Sequence, residues 1–182
     1  RNFKYDNDTL QHYFKDNGML RKAKKDPANL DRALAAICLN ELALNLKKED
    51  KEKKIDIYTN IFKAHKAAKM PVVNTSVINN LVETVDADFV IMLETYSYFY
   101  AEYDAESAPK PRDVITANVW SAYNPALQKI TDRKTLIDTI FWNAFDESGK
   151  IDSKSKLPPR LTALKIASQL AGENYAKRYF AA

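Results

Sequence analysis

Glu41 and His65 are the two side chains most able to do chemistry, because each interrupts an apolar stripe. In the stretch ICLNELALNL, residues 37–46, a turn of about 100° per residue places Leu30, Leu34, Ile37 and Leu44 on one helix face, with Glu41 in its middle. The same construction over the next segment puts His65 among Ile55, Tyr58, Ile61 and Phe62. A carboxylate buried alone is driven to take up a proton, whereas a nearby partner holds it ionised. If the two segments pair as antiparallel helices, Glu41 and His65 reach compatible levels. The expected outcome is a polar contact that sets helix register, and an acid–base site is the sharper alternative.

Other chemistries lack their residues. Carboxylate metal centres in helical bundles use Glu-x-x-His pairs, and neither His12 nor His65 has a Glu three positions before it. Residues 144–155, AFDESGKIDSKS, have the outline of a calcium loop. Aligned on Gly149, however, they offer Ala144 and Ser155 where the first ligand and the bidentate Glu belong. There is no Gly-x-Ser-x-Gly elbow, and the single Cys38 sits in an apolar run, where a small buried thiol is expected. Gly18, Gly149 and Gly172 are too far apart to cradle a phosphate. No metal and no cofactor is therefore expected.

Charge is more informative than these motifs. The formal net charge is +4, but it is unevenly spread. Residues 1–25 hold seven basic side chains against three acidic ones, and residues 150–182 hold seven against two. From Met70 to Pro109 no Lys or Arg occurs, while Glu83, Asp86, Asp88, Glu94, Glu102, Asp104 and Glu106 are acidic. Basic ends and an acidic waist are complementary patches through which copies of one chain can join head to tail. The candidate interaction residues are Arg21, Lys22, Lys24, Lys25, Lys177 and Arg178 on the basic side. On the acidic side they are Glu94 and Glu102, with Tyr98 beside them as an aromatic contact of the kind enriched at interfaces.

These residues need elements to position them, and the composition points to helices. Only three glycines are present in 182 residues, so tight hairpin turns are hard to find. Asp8 with Gln11 opens a short helix that Gly18 ends, and Asp26 with Pro27 opens a second reaching Lys48. A third ends at Met70 before Pro71. Val82, Val85, Phe89, Met92, Tyr96, Phe99 and Tyr103 recur at spacings of three and four, predicting a long central helix over 77–103 with a break near Asp86. Further helices are expected over 111–123, from the Asn124-Pro125 pair to Gly149 through Leu136, Ile137, Ile140 and Phe141, and from Pro159 onward. The expected fold class is all-α: one compact domain over 1–182, with about seven helices in an orthogonal or antiparallel array. Any subdomain break belongs at 106–113, the Pro-rich connector.

No stretch of about 18 uninterrupted apolar residues occurs, so no membrane span is expected. No basic-then-apolar leader precedes Phe3, and the compartment is left open. The function expected from these features is a non-catalytic interaction or assembly subunit, partnered by protein or by its own copies. A nucleic-acid accessory role through the basic ends is the alternative, since a pI of about 9.0 permits it. An enzyme built on Glu41 and His65 is the lesser one.

Overall fold

A computed structural model describes residues 30–49, 54–57, 74–103, 110–146, 148–150, 152 and 156–180. Within them the chain forms helix α1, Leu30–Glu49, and helix α2, Thr75–Val85. Strands β1, Val90–Glu102, β2, Arg112–Asn124, and β3, Lys129–Trp142, follow, and helix α3, Arg160–Lys177, closes the order. The strands make one antiparallel meander, β1-β2-β3. The fold is mixed α/β, which overturns the expected all-α seven-helix array and its central helix.

Helices α1 and α3 cover one face of this sheet. Leu34, Cys38, Leu42 and Leu46 recur every four residues as the buried stripe of α1. Leu44, expected inward, is exposed instead. Helix α3 answers with small side chains, among them Ala163, Ala167, Ser168, Ala171 and Gly172. At Gly172 the two backbones nearly touch: a Cβ there would lie 2.2 Å from the Cys38 carbonyl oxygen and 3.0 Å from the Leu42 nitrogen. Beneath them, the Trp120 ring of β2 stacks on Tyr175 of α3, with centroids 4.2 Å apart and planes 7° from parallel. Both residues are fully buried.

Three departures from the helical expectation have physical causes. Residues 77–103 break after Asp86, whose left-handed backbone (φ 50°) caps α2 while its N–H bonds to the Val82 carbonyl. The aromatic run beyond is β1, whose β-branched and aromatic residues suit a pleated surface. Its period of two is hidden by a bulge between Leu93 and Thr95. Ile91 and Leu93 face the helices, then the parity shifts and Tyr96, Tyr98 and Tyr100 do. That extra residue mimics helical spacing.

In 111–123 the inward positions of β2 include Thr116 and Asn118, both fully buried, so apolar alternation fails although burial alternates over Val114, Thr116, Asn118 and Trp120. The Asn124-Pro125 pair makes a turn and caps no helix. Asn124 Oδ1 accepts from the Leu127 N–H at 3.1 Å, and Gln128 supplies the positive φ of 50° that a glycine would normally take. The hairpin to β3 thus needs no glycine. Residues 54–57 carry no helix, so the expected helix ending at Met70 does not include them; the rest of that segment, like 1–29, lies outside the described residues.

The second helix and the last are found largely as expected, at Leu30–Glu49 and Arg160–Lys177. Replacing Gly172 by Ala tests their close approach. Alanine is the better helix former by about 1 kcal/mol, yet the new methyl meets backbone, so Gly172→Ala is expected to lower stability by about 1–3 kcal/mol, the usual cost of overpacking. A denaturant midpoint at or above that of the parent protein counts against the contact.

Candidate interaction surface

Polar side chains collect in two places, one sealed and one open. The sealed one lies between the sheet and α3. Tyr96 and Ser168 hydroxyls are 2.5 Å apart, and Ser168 also donates to the Leu164 carbonyl. Asn174 donates to Asp138 Oδ1 at 2.6 Å, and Asn118 Nδ2 reaches Thr116 Oγ1 at 3.4 Å. Burial pushes the Cys38 thiol well above its ordinary range, with the charge of Asp138 adding to the effect, so the thiolate that reacts is suppressed. Burial likewise raises Tyr96, against a lowering by its bond to Ser168. These groups fix strand and helix register, with Tyr96, Ser168, Thr116, Asn118 and Cys38 buried and Asp138 and Asn174 half-buried at the margin.

Glu41 belongs to neither place. It is half-buried at the edge of the Leu34-to-Leu46 stripe, and Asn45, one turn later, donates to its Oε1 and to its backbone carbonyl, both at 2.9 Å. The carboxylate is thus held within its own helix. His65 lies outside the described residues, as do Arg21, Lys22, Lys24 and Lys25. Among the described residues, no group of three His, Cys, Asp or Glu side chains is arranged to hold a metal ion.

The remaining candidates are scattered. Glu94, at the bulge of β1, has a side chain with 0% exposure, and Arg133 of β3 grips it in a two-pronged ion pair at 2.9–3.2 Å. It is therefore no part of an acidic surface. Tyr98 points to the helices, half-buried beside the core. Glu102 is exposed at the end of β1, accepts from the Tyr100 hydroxyl at 2.5 Å and pairs with Arg112 at 3.8 Å. Lys177 pairs with Glu173 on α3, while Arg178 pairs with Asp132 and lies over the Tyr175 ring. Glu83, Asp86 and Asp88 stay exposed at the end of α2.

The open place is the far side of β3. Its side chains alternate between the helix-covered face, with Lys134, Leu136, Asp138 and Ile140, and the opposite face, with Arg133, Thr135, Ile137, Thr139 and Phe141. Helix α2 covers only one end of that opposite face, where Ile78 packs on Met92 and Tyr123. Further along, Ile137 is 66% and Phe141 55% exposed. Strand β3 is hydrogen-bonded to β2 alone among the described residues, so fourteen residues of strand present one unpaired edge.

The model of one protein family, described as a domain of unknown function (DUF8603), matches residues 1–182. The chain belongs to this family. No curated protein and no solved structure matches it. Among the described residues of this DUF8603 chain, no helix is long and apolar enough to cross a membrane. Ile137 and Phe141 were visible in the sequence only as part of an amphipathic helix. The signal that separates them from core is the alternation Arg133, Thr135, Ile137, Thr139, Phe141, which reads as one sheet face once β3 is recognised.

Two outcomes test this electrostatic picture. Arg133 is 42% exposed, so its loss is cushioned by solvent on one side. Arg133→Met is nonetheless expected to cost about 1–3 kcal/mol, because it strands a buried carboxylate. Adding Glu94→Gln should recover part of that loss in a double-mutant cycle; strict additivity would contradict the pairing. The second outcome concerns alkaline pH. Burial, reinforced by the hydrogen bond to Glu102, pushes Tyr100 up to about 12, and burial raises Tyr96 and Tyr175 as well. Unfolded tyrosines ionise near about 10, so above that pH the folded state binds more protons than the unfolded one. Stability is then expected to fall between about pH 10 and 12, more shallowly in Tyr96→Phe and Tyr100→Phe. Equal pH slopes in all three proteins, read from denaturant titrations, would refute it.

Proposed function

We propose that this protein is a non-catalytic interaction or assembly subunit that works by associating with protein, its own copies first. The observation that carries the reading is the side of β3 away from β2: a long strand edge unpaired among the described residues, with Ile137 and Phe141 exposed beside it. Exposed apolar side chains on an open edge are a standard template for strand addition between chains. Surface charge adds to this support, since Glu83, Asp86 and Asp88 keep an acidic patch exposed on a chain that is basic overall.

Among the described residues, the features that would favour chemistry are already engaged. Glu41 is tied to Asn45, and Cys38 is buried within the helix pair. Of the basic residues at the C-terminal end, Lys177 and Arg178 both have acidic partners on the same molecule, which weakens the case for phosphate binding there. Sedimentation velocity over a wide concentration range is the direct test. The expected result is a mass that rises with concentration. A monomer at every concentration and salt level overturns self-association, and a chain that instead binds duplex or single-stranded nucleic acid with steep salt dependence supports the accessory role.

A further inference from the structure

We infer that the partner on β3 is a second copy of the same strand, paired antiparallel about a two-fold axis that stands normal to the sheet midway between the two Leu136 residues. This rests on the self-association proposed above and deepens it by naming the surface and the register.

An axis normal to the sheet keeps the helix-covered faces of both copies on one side, so even-numbered residues of β3 meet even-numbered ones and odd meet odd. Charge then selects among the possible registers. With Leu136 on the axis, Lys134 stands opposite the second copy's Asp138, and symmetry repeats that pair. On the opposite face, Ile137 stands beside the second copy's Thr135, and the two Ile137 side chains become diagonal neighbours.

The nearby alternatives are poorer. Moving the axis to Thr135 sets Asp132 against Asp138, moving it to Lys134 sets two lysines together, and moving it to Asp138 sets two aspartates together. Like charges directly opposed on a ladder are destabilising. Placing Ile137 on the axis avoids repulsion but leaves no opposite-charge pair. The Leu136 register also adds a cation beside a carboxylate that is short of partners. Asp138 is half-buried: its Oδ1 is held by Asn174, and its Oδ2 is buried with no hydrogen bond among the described residues. Pairing would join two three-stranded meanders into one six-stranded sheet. It would bury from each copy one edge that is free among the described residues, and bring four of the most exposed apolar side chains, two Ile137 and two Phe141, onto a single continuous face.

Disulfide trapping reads the register directly, because directly opposed residues can be bridged and diagonal ones are too far apart. The native Cys38 is buried and does not compete. Thr135→Cys and Ile137→Cys alter exposed positions. In this chain under mild oxidation, an equimolar mixture of the two variants is expected to give a covalent dimer, while each variant alone gives little. A dimer from Thr135→Cys alone or from Ile137→Cys alone places the axis on that residue and overturns the register. If no mixture cross-links while sedimentation shows the parent chain associating, the β3 surface is overturned and the assembly reading stands. If the parent chain is monomeric throughout, both fall.

Discussion

The closeness of α1 and α3 at Gly172 governs the shape of the rest. Where the Cys38 carbonyl sits in the space a Cβ would fill, the two helices behave as one slab, and that slab can seal a sheet face with small residues and a single large stack, Trp120 on Tyr175. Helix α3 then carries Ser168 and Asn174 down to the strands, so that Tyr96 finds a partner in the interior and Asp138 one at its half-buried margin. Close packing of this kind rewards small side chains at the crossing and leaves little tolerance for added volume.

Sealing one face makes the molecule two-sided. Three strands cannot close on themselves, and helix α2 reaches only the end of the opposite face near Ile78, Met92 and Tyr123. Among the described residues, the rest of β3 is left with an open edge and with Ile137 and Phe141 beside it. Natural sheets usually guard such edges with charge or irregularity. Here the bulge between Ala122 and Tyr123 disturbs only the start of the ladder, and the charges on β3 are of both signs, Lys129, Asp132, Arg133, Lys134 and Asp138. Mixed charge repels most registers of self-pairing while favouring one.

The buried polar groups play a different part. Glu94 is drawn inside by the bulge and held by Arg133, an arrangement that joins the two outer strands of the meander across β2. Such a pair adds little net stability over apolar packing, but it penalises strand slippage strongly, because any shift separates two charges that have lost water. Tyr96 with Ser168, and Asp138 with Asn174, impose the same kind of penalty between sheet and helix.

Local chemistry alone determined α1, α3 and the break at Asp86, since each is set by neighbours within a turn or two: a four-residue apolar repeat, a run of small helix formers after Pro159, and a residue able to take the left-handed cap. It also determined that Cys38 would be buried in an apolar run. The strands were decided elsewhere. An aromatic run such as VIMLETYSYFY satisfies either period until something packs on it, and the bulge at Glu94, the polar Thr116 and Asn118 facing inward, and a hairpin turned by Gln128 without glycine each removed the local mark of a strand. What replaced those marks was the slab of α1 and α3, whose flat underside accepts a pleated surface and whose polar groups reward one register. Tertiary structure likewise decided the candidate surface, because Ile137 and Phe141 are indistinguishable from core residues by type, and only the helices' choice of the other face left them outside.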